Sequence, residues 1–191
     1  MIRQTGRDKF RKYKTIINFL VKLFGFLGKS FNRTLLGVFR NTNGFLGLLL
    51  RYIFLKNCAK SIGDNVSIQP NVFLFNLSKI SIGSNVSIHP MCYLDGAGGL
   101  TIEDNVSIAH NCSILTTNHQ WMDITLPIKY NPESYSSVLI KSDVWLGCGV
   151  RVMAGVTINS RSIIAAGAVL TKNVEANSLF AGVPAKEIKK I

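Results

Sequence analysis

The sequence predicts a mainly β chain, a solenoid of triangular coils preceded by amphipathic helices, and three observations carry that expectation. Near-identical octamers, SIGDNVSI at 61–68, SIGSNVSI at 81–88 and TIEDNVSI at 101–108, start 20 residues apart. Aliphatic residues recur every six positions as Ile62, Ile68, Leu74, then Ile82, Ile88, Leu94, then Ile102, Ile108, Ile114. After an interruption they resume as Ile140, Leu146, Val152, Ile158, Ile164, Leu170. Charge, finally, is segregated: residues 1–60 hold 13 of the 22 Lys and Arg and one acid, Asp8, whereas residues 61–191 hold nine of each sign. Self-similarity at a fixed period marks a repeat architecture, and the charge step near residue 60 marks where it begins.

With 191 residues, 47% apolar and 17% charged, the chain is long enough for one domain with its own core, and a disordered chain is excluded. The four cysteines, Cys58, Cys92, Cys112 and Cys148, lie 34, 20 and 36 residues apart, too far for a zinc knuckle or a C-x-x-C redox pair. They read as reduced thiols of a cytoplasmic protein, packed as small apolar residues.

Residues 1–57 form the first unit. After the basic opening Arg3, Arg7, Lys9, Arg11, Lys12, Lys14, nine of the twelve residues 16–27 are apolar. Arg11, Lys14, Asn18, Lys22, Gly25 and Lys29 recur every three or four positions, so on a helix they form a narrow polar stripe beside a wide apolar face. That pattern suits a helix lying in a membrane surface. A spanning helix needs about 20 uninterrupted apolar residues, and Lys22 and Lys29 interrupt this one. Lys22 and the lack of an A-x-A-like site also speak against a cleaved leader. A second apolar and basic stretch, 44–56, either packs on the first coils or lies on lipid. Nucleic acid is not an expected partner, because the aromatics of the head sit on its apolar face rather than among its charges.

Residues 58–191 form the second unit. A period of six fits neither a helix nor a plain alternating strand. Each hexad reads as a short strand and a corner: the aliphatic is followed by a small residue (Gly63, Gly83, Gly147, Ala165), and three positions on comes a β-branched or small one (Val66, Val86, Val106, Ala168). Three hexads close a turn of 18 residues, and stacked turns give three parallel sheets with continuous internal ladders. Such stacks need capped ends, for which the head and the Lys-rich tail 176–191 are candidates. Asn65, Asn85, Asn105 and Asn111 spell glycosylation sequons, but asparagine tolerates the left-handed backbone of a tight corner, which explains their recurrence more simply. The six-residue period fails at 116–137, and a long loop extruded from a solenoid is a candidate functional element.

The isoleucine-glycine hexads, the break at Thr116-Thr117-Asn118-His119, and the run from Val144-Trp145-Leu146-Gly147 to Ala181-Gly182-Val183-Pro184-Ala185 resemble the hexapeptide-repeat acyltransferases over residues 61–191. Within that family the chain is most similar to sugar O-acetyltransferases of the galactoside, maltose and surface-polysaccharide type. The resemblance implies a left-handed parallel β-helix, an exception to the usual right-handed crossover. It also implies acetyl-coenzyme A as co-substrate, and a homotrimer with three sites at its subunit boundaries.

His119, in the Thr-x-x-His segment, is by that resemblance the catalytic base, and an imidazole, ordinarily titrating near pH ~6.5, suits removal of a hydroxyl proton at neutral pH. Implied coenzyme contacts fall on Cys148, Ala166, Thr171, Lys172, Lys186 and Lys189, with the Cys148 N–H as oxyanion donor. Lys186 and Lys189 stand where the family often has Arg and meet phosphate as point charges. Implied acceptor contacts are His89, near a position that usually carries Asn, together with Asp95, Asn118 and Trp145. Asp95 either bonds a sugar hydroxyl or caps a Gly-rich corner, Trp145 either walls the pocket or covers the coil, and His110 reads as a surface residue. No metal is implied: solenoid carbonic anhydrases use an H-x4-H pair, whereas His110 and His119 are nine apart.

The basic head departs from the short leads of the small-sugar enzymes and suits an anionic membrane surface. Together these features predict acetyl-coenzyme A-dependent O-acetylation of a lipid-linked or surface glycan in polysaccharide biosynthesis, by a cytoplasmic protein peripheral to the inner face of the membrane. N-acetylation of an amino sugar and a silent membrane-docked scaffold are the alternatives.

Overall fold

In the computed structural model, which describes residues 6–191, three helices cap one end of a β-helical prism. Arg3 lies outside the described residues. One face of the prism stacks Ser61–Ile62, Ile80–Ile82, Leu100–Ile102, Val138–Ile140 and Thr157–Ile158. The second stacks Ser67–Ile68, Ser87–Ile88, Ser107–Ile108, Trp145–Leu146 and Ile163–Ile164, and the third Phe73–Phe75, Tyr93–Asp95, Ser113–Ile114, Arg151–Val152 and Val169–Leu170. All of these pairings are parallel, so the six-residue period of the sequence is the period of the structure. Ile102 pairs with Ile140 as Ile82 pairs with Ile102, so residues 116–137 leave the stack without shifting its register.

The ladder aliphatics face inward and are sealed by the turns above and below. Ile88, Leu94, Ile108, Ile114, Ile140, Leu146, Val152, Ile158 and Ile164 are fully buried, each contributing about 1.5–3 kcal/mol relative to exposure. The corners behave as the repeat demands. Asn65, Asn85, Asn105 and Asn111 take φ of 54°, 60°, 59° and 60°, the left-handed region that asparagine tolerates. Their amides also form rungs: Asn65 Nδ2 donates to Asn85 Oδ1 at 3.0 Å, and Asn85 Nδ2 to Asn105 Oδ1 at 3.2 Å.

The helices are α1 (Gly6–Gly25), α2 (Gly28–Val38) and α3 (Gly44–Cys58). The second apolar stretch of the head therefore packs on the coils, and its helix runs one residue past the expected unit boundary. A first coil exposes carbonyls that no lower coil can satisfy, and α3 supplies the donors. Arg51 Nε bonds the Ile68 carbonyl at 2.7 Å, Tyr52 OH that of Gly63 at 3.1 Å, and Lys56 Nζ that of Ile62 at 2.8 Å. Buried Asn32 ties the α1–α2 corner by donating to the Phe24 and Gly28 carbonyls, both at 2.8 Å.

Two residues of the α1 polar stripe also make contacts within the fold: Lys14 reaches Asp64 on the first coil at 2.6 Å, and Gly25 lies against Asn57 of α3. The stripe is also broken, because Gly25 ends α1 and Lys29 belongs to α2. Phe10, Ile17 and Val21 pack inward, while Ile16, Phe19, Leu23, Phe26 and Leu27 stay exposed. Among the described residues, no helix is long and apolar enough to cross a membrane.

At the far end the Lys-rich tail forms a hairpin. Ser178–Gly182 adds in parallel to Ile163–Ile164, and Ala185–Lys190 folds back antiparallel. The last strand is exposed and carries Lys186, Glu187, Lys189 and Lys190, charges that discourage another chain from adding to the edge.

Candidate active site

The extruded segment starts and ends as a two-stranded hairpin, with Thr117–His119 antiparallel to Glu133–Tyr135 and His119 opposite Glu133. Buried Asn131 holds the loop between them: its Oδ1 accepts the Asp123 N–H and its Nδ2 donates to the Asp123 carbonyl, both at 3.1 Å. His119 Nε2 stands 3.8 Å from Glu133 Oε1, and the Tyr135 hydroxyl donates to Glu133 Oε2 at 2.9 Å. That bond, followed by the charge of Glu133, raises the Tyr135 pKa, which keeps the phenol a donor.

Under the hairpin lies a polar cleft of about 460 Å³ lined by Asn76, Lys79, Tyr93, Asp95, Glu133 and Tyr135, among others. Asp95 is buried and organises the corner: its Oδ1 accepts from Asn76 Nδ2 at 2.7 Å and from the Ala97 N–H at 3.0 Å. Thr116 Oγ1 accepts the Gly98 N–H at 2.8 Å and donates to the Asp95 carbonyl at 3.0 Å. The turn-capping role of Asp95 is thus realised, on a residue that also lines the cleft. On the other side of the hairpin, Asn118 and His119 line a second opening of about 560 Å³ with Trp121 and Met122.

The remaining candidates sit elsewhere on the prism. Thr171 and Lys172 are exposed just beyond the strand Val169–Leu170, at the same corner as Asp95 but three turns further along. His89, Cys148 and Ala166 lie at a different corner, after the second-face strands. There the N–H groups of Gly149 and Gly167 go to the His110 and Cys148 carbonyls at 3.0 and 2.8 Å, and among the described residues no carbonyl receives the Cys148 N–H. His110 is exposed in the same file. Trp145 projects from the outer side of the second face between Ser107 and Ile163, half exposed and outside the cleft of its own chain. Lys186 and Lys189 pair with Ala181 and Leu179 in the terminal hairpin.

One protomer therefore brings together His119 and Asn118 in one opening, leaves Asp95 in the cleft on the other side of the hairpin, and separates all three from His89, Cys148 and Ala166 by the whole third face. Glu133, Tyr135, Asn76 and Lys79 escape a reading of the hexads. Glu133 and Tyr135 lie where the six-residue period has failed, and their only signal is the spacing that lets a hairpin bring them back to His119. Among the described residues no group of three or more His, Cys, Asp or Glu is placed to hold a metal.

The chain matches the family model described as bacterial transferase hexapeptide (six repeats) over residues 137–172. Galactoside O-acetyltransferase of Escherichia coli K12 is 33% identical over 142 residues, which cover 74% of this chain and 68% of that one. A maltose O-acetyltransferase from Clostridium difficile 630 superposes with a TM-score of 0.72 at 28% identity, covering 88% of each chain. A galactoside acetyltransferase in complex with coenzyme A gives 0.74 at 28% identity, covering 85% of this chain and 80% of that one. Other similarities are shorter: a Schizosaccharomyces pombe relative is 54% identical over 52 residues, a quarter of its own length.

Proposed function

Because the chain belongs to the hexapeptide-repeat acetyltransferases, we propose that it transfers the acetyl group of acetyl-coenzyme A to a sugar hydroxyl, with His119 as general base. The observation that carries this reading is the hairpin that sets His119, at one opening, against Glu133, which lines the polar cleft beside it. In the reaction, His119 takes the proton of the acceptor hydroxyl as its oxygen attacks the thioester carbonyl. The oxyanion that forms accepts the Cys148 N–H, which the coil leaves unused. Collapse breaks the carbon–sulfur bond, the coenzyme thiolate leaves with the proton held by His119, and the ester remains on the sugar. Glu133 faces the imidazolium through the step.

The placement of the parts supports a homotrimer. His119 and Cys148 lie on corners divided by a full face, so a single site that uses both draws them from neighbouring copies. Thr171, Lys172, Lys186 and Lys189 are exposed and serve the phosphates of the coenzyme, and His89, Asp95, Asn118 and Trp145 the acceptor. The acceptor is a lipid-linked or surface glycan met at the cytoplasmic side of an anionic membrane. Supporting this is the exposed ridge of Ile16, Phe19, Leu23 and Phe26 flanked by Lys9, Lys12, Lys22 and Lys29.

Coenzyme A release from acetyl-coenzyme A, measured across a panel of sugars, tests the assignment. His119→Ala is expected to lose at least about a hundredfold. An unchanged rate would overturn it.

A further inference from the structure

Where the helices meet the prism, a cavity of about 130 Å³ opens between α2 and the strand Phe73–Phe75, lined by three arginines, Arg33, Arg40 and Arg51, and by no acid. None of the three forms an ion pair among the described residues. Arg33 is exposed and Arg40 half-buried, with its guanidinium carbon 4.6 Å from the Phe73 ring centre. Arg51 is buried. Capping accounts for only part of it: Nε serves Ile68, and Nη1 serves the Phe39, Arg40 and Thr42 carbonyls, while Nη2 is buried and meets no acceptor. A buried guanidinium with an unmet donor and no counter-charge is costly unless something supplies both.

We propose that this cavity binds the phosphate group of a phosphate ester, with Arg33 and Arg40 offering planar forks at its rim and Arg51 the charge behind them. A phosphate suits the place because its several oxygens and its charge match clustered arginine forks. A carboxylate would leave more of that positive charge unmet. The cavity also adjoins the polar cleft: Phe75 lines both, and its ring lies 5.0 Å from that of Tyr93, which lines the cleft with Asp95. On the function proposed above, on which this last step rests, the phosphate belongs to the acceptor. It anchors at the arginines while the glycan crosses Phe75 and Tyr93 toward Asp95 and His119.

Calorimetry of the full chain with glucose 1-phosphate, inorganic phosphate and glucose, beside flotation with phosphatidylcholine vesicles lacking or containing phosphatidic acid, tests the site and separates its two sources. Glucose 1-phosphate is expected to saturate one site per chain, with inorganic phosphate competing and glucose silent. R33Q/R40Q weakens it at least tenfold, and R33K/R40K recovers part of the loss, which a folding defect would not produce. Binding of phosphatidic acid vesicles that R33Q/R40Q removes, with glucose 1-phosphate silent, supports the site and makes a lipid headgroup its source. Binding to neither probe, glucose 1-phosphate binding indifferent to R33Q/R40Q, or vesicle binding indifferent to it with glucose 1-phosphate silent, overturns the proposal. Because calorimetry involves no acetyl transfer, its outcome stands apart from that of His119→Ala.

Discussion

His119 and Glu133 face each other across the extruded hairpin, Nε2 to Oε1 at 3.8 Å, and Tyr135 holds the far oxygen of the same carboxylate. A carboxylate in that position can orient the imidazole for the step in which His119 takes up a proton. Glu133→Gln keeps the size and a carbonyl for Tyr135 but removes the charge. We expect kcat to fall about tenfold, roughly 1.4 kcal/mol, with KM for acetyl-coenzyme A unchanged in steady-state kinetics. A kcat equal to that of the unaltered chain would remove Glu133 from the mechanism.

Membrane attachment is testable without truncation. Deleting residues 1–40 would take away the Phe39 and Arg40 carbonyls that receive Arg51, and the Ile17 side chain that packs in the core, so the coil end would suffer with the head. Phe19 and Phe26 are 64% and 89% exposed and can be changed without disturbing that packing. Phe19→Glu with Phe26→Glu should leave the protein in the supernatant of phosphatidylglycerol vesicles that sediment the unaltered chain, since the apolar contact is replaced by anions facing anions. Acetyl transfer to a soluble sugar should change less than about twofold, within the small effects usual for surface substitutions. Co-sedimentation of the variant would overturn this placement of the contact.

The ladders were legible because a buried aliphatic every six residues admits no other register: Ile62, Ile82, Ile102, Ile140 and Ile158 fall in one file although a loop intervenes. The sequons resolved into corners for the same reason, since a fixed backbone conformation selects one residue type. Glu133 and Tyr135 were not legible, because pairing inside an extruded hairpin leaves no period to read. Neither was the orientation of α1. Amphipathicity shows that a helix has two sides, but only the structure brings Lys14 against Asp64, 50 positions away on the first coil. The tail read as basic and became a hairpin because its alternation is too short to separate a strand from a solvated end.

The asparagine rungs should carry measurable stability. Asn85 sits at φ 60° between amide bonds to Asn65 and Asn105. Asn85→Ala meets the left-handed penalty of about 1–2 kcal/mol and also loses rungs worth about 0.5–1.5 kcal/mol each. Asn85→Gly loses the rungs without the strain. Urea denaturation should therefore rank the unaltered chain above Gly and Gly above Ala, and an Ala variant as stable as Gly would refute the conformational part of the argument.

Thiol chemistry and alkaline stability should both follow from the burial of the cysteines. Cys58, Cys92 and Cys112 are buried and Cys148 partly exposed, so an aromatic disulfide reagent should label Cys148 in the native protein and the others only on unfolding. Burial, opposed in part by Arg33, pushes the Cys58 thiol up from 9.0 to about 11. A proton held more tightly in the folded than in the unfolded chain stabilises the fold fully below the unfolded value, and that contribution is lost as pH rises through the folded one. For Cys58 the window runs from pH 9 to about 11. Tyr52, raised by burial and by Asp64, weakens the fold in the same sense at higher pH. Thermal melts across that window should show the unaltered chain losing stability faster than Cys58→Ala, which has no proton to release; parallel slopes would assign the alkaline loss to other groups.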